Sequence, residues 1–467
     1  MVSLEELPTA VLLEIFGWLS PSDLGLLLRV CRRFYGIVST HGSLYRDVFL
    51  TFLDAPQRRN VNWMQEIRDI ARLKSICSKK YTKKDEDHVL VCSTILKLLK
   101  DATPRPGGQA PRQLPTHLPS YNVDFLSSLF KDQNILRKYM CRSSLYHGTS
   151  IGQRSRGSSN DPLIQLSAKL HCHYGKPAEK PIVPAVASLG EPYDFACAKV
   201  YNLRHYTAES FWGPFKDDGS GEVDWEKVEA SMVVMAVKTS RDKASLWTMP
   251  WREPFAGAYA QSYASPHPRK ELEPLDPTDP YGISGTWMRL ICFLNWGDLQ
   301  MYNFTRRPET LRSNLKSLFY DQGVSHMVMS LKVTAMEEPG PDDSPDLPVV
   351  HFTGFARHLY HPNDPDISSD IQGTCRLTKE GEARWTTVST FNSNPRWKTE
   401  CVQIGGVRAA GPVVGNWFSA DYDARGPVGP LAFWKLSDRD VWDVEAKDVF
   451  PKVLANVFDR AFRPVTG

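Results

Sequence analysis

The first fifty residues of this 467-residue chain carry apolar side chains at the spacing of two short helices. The first stripe consists of Val11, Leu12, Ile15, Phe16 and Leu19. The second stripe consists of Leu24, Leu27, Leu28 and Cys31. Pro8 precedes the first stripe, where a helix tolerates a residue that has no backbone N–H. A unit this small cannot bury two wide stripes internally, so it must share apolar surface with a partner or with the next domain.

The segment between the two stripes, Ser20-Pro21-Ser22-Asp23, has the composition of a helix start. Ser20 can cap the second helix, and Pro21 can open its first turn. Asp23 is placed to reach back to the free backbone amides. The sequence therefore predicts a helical hairpin with a defined break before Pro21.

The order of these residues resembles an F-box, the helical module that docks an adaptor onto Skp1 in cullin-based ubiquitin ligases. The motif segments are Leu7-Pro8, Ile15, Leu19, Asp23-Leu24, Val30-Cys31-Arg32-Arg33 and Leu44-Tyr45-Arg46. The chain departs from the pattern at Ala10, where an acidic residue is frequent, and at Phe34 and Tyr45, where tryptophan is frequent. By the resemblance, the residues that face Skp1 are Leu7, Pro8, Leu12, Ile15, Leu19, Leu24, Val30 and Cys31. The alternative is a helical hairpin that only packs on its own C-terminal domain.

Composition excludes several other classes of protein. Apolar residues make up 42% and charged residues 23% of the chain, as in soluble globular proteins. The 56 basic residues nearly balance the 53 acidic ones, which gives no electrostatic reason to expect nucleic acid or a membrane as partner. Nine cysteines at scattered spacings form no disulfide framework, which favours reduced thiols in the cytoplasm, the nucleus or both.

The hydrophobic pattern predicts an α+β protein with three regions. The F-box covers residues 1–50, and a helical spacer covers 51–145, with a Pro/Gly-rich loop at 103–121. The spacer has three predicted helices, one around residues 64–73, one around 90–99 and a single helix over 125–140. A large antiparallel β-rich domain, a barrel or a sandwich, is predicted over residues 165–460.

The strands of that domain are predicted from short apolar runs between turn residues. These runs are Met232 to Val237, Trp287 to Leu294, Met327 to Val333, Val349 to Phe355 and Trp385 to Phe391. The segment from Thr378 to Glu382 is predicted to join two strands, 371–377 and 383–391, as a hairpin. No internal repeat is present, which argues against leucine-rich and WD40 substrate domains.

Tryptophan and glycine motifs after residue 210 resemble a group of fungal F-box proteins. They include Trp212-Gly213-Pro214-Phe215, Tyr281-Gly282 through Trp287, and Gly415-Asn416-Trp417-Phe418. Gly285-Thr286-Trp287 and Phe352-Thr353-Gly354 also resemble the calycin-like barrel of some vertebrate F-box-only proteins. In that architecture the mouth of the barrel recognises a short peptide degron.

Candidate chemical sites are few. His171-Cys172-His173 offers metal-ligand side chains, but no further ligands follow at zinc spacing, so a strand with alternating faces explains the triplet better. Neither a phosphate loop nor a G-x-S-x-G elbow is present. We therefore expect no catalytic residue, no metal and no cofactor, and we expect the chain not to be an enzyme.

The best candidate surface for a target protein is an aromatic and charged cluster near the C-terminus. It consists of Trp417, Phe418, Asp421, Tyr422, Asp423 and Arg425. Such residues anchor many interfaces, although a loop that closes the barrel and packs inward explains them as well. Arg376 and Arg384 could pair with a carboxylate of the target, or they could lie on solvated strand faces.

Together these features predict a substrate-recognition subunit of an SCF-type (Skp1-cullin-F-box) E3 ubiquitin ligase. Its expected partners are Skp1 with the cullin complex and an unidentified target protein, with no nucleic acid and no membrane. One alternative is a Skp1-bound scaffold that acts outside cullin complexes. The other is a barrel that binds a small apolar ligand, which then gates substrate binding.

Overall fold

The computed structural model describes residues 4–78, 85–105, 117–146, 161–176, 192–239, 253–265, 278–304, 323–361, 364 and 367–440. The chain divides into two compact units. The first is Met1–Gly108 with Pro119–Tyr139, and the second is Gln109–Leu118 with Met140–Gly467. Residues 106–116 of the predicted loop and 441–460 of the predicted β-rich region lie outside the described residues.

The described part of the first unit is helical. After a short 3-10 turn, Leu4–Glu6, its helices are α1 (Thr9–Gly17), α2 (Pro21–Leu27), α3 (Arg32–Thr40), α4 (Gly42–Phe52), α5 (Trp63–Ser78), α6 (Asp85–Lys100), α7 (Tyr121–Leu129) and α8 (Gln133–Met140). The predicted start of α2 is confirmed, because the Ser20 hydroxyl oxygen accepts the backbone N–H of Asp23 at 3.3 Å. The Asp23 carboxylate accepts the Ser20 hydroxyl at 2.7 Å rather than a free amide.

The single helix predicted over 125–140 is wrong, because two helices occupy this stretch. The last turn of α7 ends where the N–H of Phe130 bonds the carbonyl of Leu126. A new helix then starts at the carbonyl of Asp132, which accepts the N–H groups of Ile135 and Leu136. The polar run Lys131 to Asn134 supplies no apolar residue to continue one apolar stripe, so one helix can end and another begin there.

The second unit contains a closed antiparallel barrel of eight strands in sequence order. The strands are β1 (Gly285–Phe293), β2 (Gly323–Glu337), β3 (Val349–His358), β4 (Ser369–Leu377), β5 (Ala383–Phe391), β6 (Asn394–Gln403), β7 (Val413–Ser419) and β8 (Val428–Ser437). Pairing of β1 with β8, in which Arg289 lies opposite Phe433, closes the barrel. The predicted hairpin is confirmed as β4 and β5, with Leu377 opposite Ala383.

One layer of the barrel interior is filled by aromatic side chains from facing strands. Trp287 and Trp385 are in edge contact, with ring centroids 5.3 Å apart, and both rings also contact Phe433. Phe352 packs on Trp385 at 5.6 Å. Side chains along a barrel strand alternate between the inner and the outer face. These four side chains are on the inner faces of their strands, so they all point into the barrel interior, the lumen.

Helices cover part of the outer face of the barrel. The described helices of the second unit are α9 (Pro162–Tyr174), α10 (Pro192–Val200), α11 (Trp225–Thr239) and α12 (Trp296–Phe304). Met288, Leu290 and Trp434 point outward from the barrel and lie in one cluster with Ala168 of α9 and Met232 of α11. None of the helices described in the chain is long and apolar enough to cross a membrane.

Two strand predictions in this region are wrong. Met232 to Val237 lies in α11, and His171-Cys172-His173 lies in α9. A short apolar run without alternation is compatible with either a buried helix or a buried strand, and α11 is buried on nearly every side. Among the described residues, the strands of the barrel begin at Gly285 rather than near residue 165.

Candidate functional site

The first four helices form a small core of their own. Leu12 and Phe16 from α1, Leu24 from α2, and Phe34 from α3 are all buried. The rings of Phe16 and Phe34 meet edge to face at 5.1 Å. One side of each helix is therefore used internally, and the opposite side is left for solvent or a partner.

That opposite side carries large apolar residues at helical spacing. Val11 and Ile15 of α1 lie along one face with Trp18 at its C-cap, since the three follow the i, i+4, i+7 pattern. Ile15 is 39% exposed and Trp18 is 72% exposed. The exposed apolar residues of the first 35 residues are Leu4, Val11, Ile15, Trp18, Leu26, Val30 and Tyr35, and we call them the N-terminal apolar surface. A concentration of exposed apolar side chains in so short a segment is typical of an interaction site.

Residues 4–51 match a family model described as F-box-like. They form an F-box-like domain. No curated protein and no solved structure matches the chain. The match covers the helices that carry the N-terminal apolar surface, so this exposed surface belongs to the F-box-like domain.

The structure separates the eight residues predicted to face Skp1 into three groups. Pro8, Ile15 and Val30 are exposed, while Leu7, Leu19 and Cys31 are half-buried. Leu12 and Leu24 lie in the core of the F-box domain rather than on its free surface, which corrects their expected position. The Cys31 Sγ accepts the N–H of Phe34 at 3.5 Å and caps α3.

The N-terminal apolar surface also includes Val11, Trp18 and Leu26, which were not among the residues expected to face Skp1. The available signal was their spacing, because Val11 and Trp18 share a helix face with Ile15. Leu26 precedes the exposed Val30 by four residues. A short helix with apolar residues on two opposite faces can bury either face. Periodicity alone therefore does not show which face lies in the core and which is exposed.

The aromatic cluster near the C-terminus is only partly a surface. Trp417 and Phe418 are buried on β7, and the Trp417 indole N–H donates to the carbonyl of Cys292 at 2.9 Å. Phe418 packs on Trp212 with ring centroids 5.5 Å apart. The expected recognition role of these two side chains is therefore corrected to a packing role, because their rings fill the inner and outer sides of the barrel wall.

The exposed part of this cluster is the turn between β7 and β8. Tyr422 is exposed there, and Lys398 Nζ lies 4.2 Å from its ring centroid and donates to its hydroxyl at 3.0 Å. A hydrogen bond from the Ser419 hydroxyl lowers the pKa of Asp421. The backbone N–H of Arg425 donates to Asp423, while its guanidinium lies over Phe304. This turn presents Asp421, Tyr422, Asp423 and Arg425 to solvent.

Arg376 and Arg384 do not belong to that turn. Arg384 donates through Nε to Glu400 at 2.9 Å and stacks over Phe211 and Phe215, and its side chain is largely buried. Burial raises the pKa of Glu400, and the adjacent Arg384 opposes this effect. Arg376 pairs with Asp343 at 3.5 Å. Both guanidinium groups thus have carboxylate partners within the chain, which corrects the expectation that they are free for a target.

The His171-Cys172-His173 triplet joins buried helices. His171 Nδ1 lies 2.6 Å from a carboxylate oxygen of Glu229 on α11, and its Nε2 lies 3.0 Å from the carbonyl of Lys176. His173 Nδ1 donates to the carbonyl of Lys169 at 2.8 Å. Burial raises the pKa of the Cys172 thiol, so the thiol stays protonated. No group of three metal-ligating side chains is found among the residues that the structure describes.

Acid is expected to destabilise the second unit through His173. Burial and nearby Lys169 lower the pKa of His173 from 6.5 to about 4. The unfolded chain therefore takes up a proton below pH 6.5 that the folded chain does not, and stability falls between pH 6.5 and 4 and levels off below. We expect the free energy of unfolding, measured with denaturant at each pH, to fall by about 3 kcal/mol over this window. In His173→Gln it should fall less steeply with decreasing pH. An unchanged slope in that variant would contradict the assignment.

Proposed function

We propose that this protein is the substrate-recognition subunit of an SCF-type ubiquitin ligase and that its F-box domain binds Skp1. The observation that carries the proposal is the F-box-like match over residues 4–51 on a domain with an uncovered apolar face. An interface of ordinary size buries about 800 Å² per partner, which the exposed side chains of α1 to α3 are suited to supply.

The barrel unit is the proposed site for the target protein. Support comes from the turn between β7 and β8, where Tyr422 and Arg425 are exposed and the Arg425 guanidinium lies over Phe304 of α12. Tyrosine and arginine are enriched among residues that dominate binding energy. In this role the chain needs no acid, base or nucleophile, because holding the target near a charged E2 makes transfer effectively intramolecular.

The test is affinity purification of the tagged full chain beside a Leu7→Ala/Pro8→Ala/Ile15→Ala variant. Skp1 and cullin are expected with the unchanged chain and absent from the variant. A protein retained on both baits is then the leading candidate target. Recovery of Skp1 without cullin would favour the scaffold alternative, and recovery of neither from the unchanged chain would contradict the proposal.

A further inference from the structure

Arg289 lies inside the barrel, in the middle of β1. Its neighbours at alternate positions, Trp287 and Ile291, belong to the interior cluster, whereas Met288 and Leu290 belong to the cluster on the outer face. Alternation of side chains therefore directs Arg289 into the lumen. It is 3% exposed.

The guanidinium reaches across the lumen. Arg289 Nη1 donates to the Ser389 hydroxyl at 3.3 Å. Ser389 is on β5, which is four strands away from β1 in either direction around a closed eight-stranded barrel. A side-chain hydrogen bond between these two strands must cross the barrel, so the charged group lies near its axis.

This charge has no anionic partner among the described residues. Arg289 Nε is buried and makes no hydrogen bond, and none of the ion pairs formed by described residues includes this arginine. Its single hydrogen bond is to a neutral hydroxyl. Burial lowers the pKa of Arg289 to about 10, which still leaves the group charged at neutral pH.

A buried, unpaired guanidinium is costly. Arginine is almost never fully buried without a partner, and an uncompensated buried charge strongly destabilises a fold. Two other arginines on strands of this barrel illustrate the usual solution, because Arg376 and Arg384 are each paired with a carboxylate. The cost at Arg289 is offset if an anion from outside the chain occupies the lumen.

The residues that line the two ends of the lumen differ in burial. On one side of Arg289 the interior is closed by buried Trp287, Trp385 and Phe352. On the other side, the inward-facing residues Ile291 and Trp397 are only partly buried. The ring of Trp397 meets that of Trp417 at 5.0 Å, so this side offers apolar walls to a ligand that enters toward Arg289.

We propose that the barrel lumen binds an organic monocarboxylate, whose carboxylate pairs with the free Nε/Nη2 edge of Arg289 while Ser389 holds the Nη1 side. That edge matches the two oxygens of a carboxylate, and an eight-stranded barrel can enclose one small ligand. A single arginine between apolar walls compensates one negative charge, whereas a dianionic phosphate would remain partly uncompensated. This inference does not rest on Skp1 binding.

The test uses the full chain with octanoate as probe and 1-octanol and octanamide as uncharged controls. We expect octanoate to raise the melting temperature, to change tryptophan fluorescence, and to bind at least about tenfold tighter than either control in calorimetry. Arg289→Met should lose this preference while its unliganded form is as stable as the unchanged chain or more so. An N-acetylated tripeptide with a free carboxyl end, set beside its amide, distinguishes a peptide terminus from a small acid as the source.

Two results would overturn the proposal. One is equal affinity of octanoate for the unchanged chain and for folded Arg289→Met. The other is failure of the unchanged chain to prefer any carboxylate over its uncharged analogue, and this measurement decides the matter even if Arg289→Met does not fold. Ser389→Ala serves as a milder variant, and we expect it to weaken octanoate binding by a few-fold, since the orienting hydroxyl is lost.

Discussion

The double variant Ile15→Asp/Val30→Asp is expected to bind Skp1 about 100-fold more weakly than the unchanged chain, or not at all. Ile15 is 39% and Val30 is 59% exposed, so a carboxylate at either position stays hydrated in the free protein. In an apolar interface both carboxylates would lose that hydration without gaining a charged or hydrogen-bonding partner, which costs several kcal/mol. The measurement is calorimetric titration of purified Skp1 into each purified chain.

Two controls make this result specific to the F-box domain. Val89→Asp introduces the same charge at a 43% exposed apolar residue of α6, and Skp1 affinity should not change. Melting temperatures of all three chains should agree to within a few degrees, because surface substitutions shift stability little. If the double variant keeps Skp1 affinity within threefold, the N-terminal apolar surface is not the docking face.

The fold could be predicted from the sequence where local chemistry and hydrophobic period agree. The start of α2 is marked by Ser20 and Pro21, and the β4–β5 hairpin is marked by alternating apolar residues around the turn at Gly381. In both cases a turn or cap residue fixes the boundary while the period identifies the element. The choice between a barrel and a sandwich depended on pairing of β1 with β8, which are far apart in sequence.

The sequence misled where a segment is buried on all sides. α11 packs against α9, α10 and the barrel, so its run Met232 to Val237 lacks the polar face that identifies a helix. The same ambiguity affects the candidate sites. Trp417 and Tyr422 are both aromatic residues near one turn, yet one is buried in the wall and the other is exposed. Local composition does not encode which side of a barrel wall a residue faces.

Arg289 shows what only the closed structure reveals. In the sequence it is one charged residue in an apolar strand, and an arginine at such a position is compatible with an outward, solvated side chain. Its inward direction follows from the register of β1 with both neighbours, and its isolation follows from the residues that the barrel brings around it. A small apolar ligand was one alternative expected for the barrel, whereas the ligand proposed from Arg289 carries a carboxylate.

Trp385→Ala is expected to destabilise the second unit by about 3–5 kcal/mol. Trp385 is fully buried and contacts Trp287, Phe352 and Phe433 from three other strands. Its indole N–H also donates to Gln403 at 3.3 Å, and this partner would be left unsatisfied. Neighbouring strands cannot close the cavity, because the ladder on both sides of β5 fixes their spacing.

The matched control is Trp296→Ala, since Trp296 is 50% exposed on α12 and its removal leaves no internal cavity. We expect that change to shift stability by no more than about 0.5 kcal/mol. Urea unfolding followed by circular dichroism measures both variants, and the barrel transition should move only for Trp385→Ala. Equal effects of the two substitutions would mean that the aromatic cluster is not the core of the barrel.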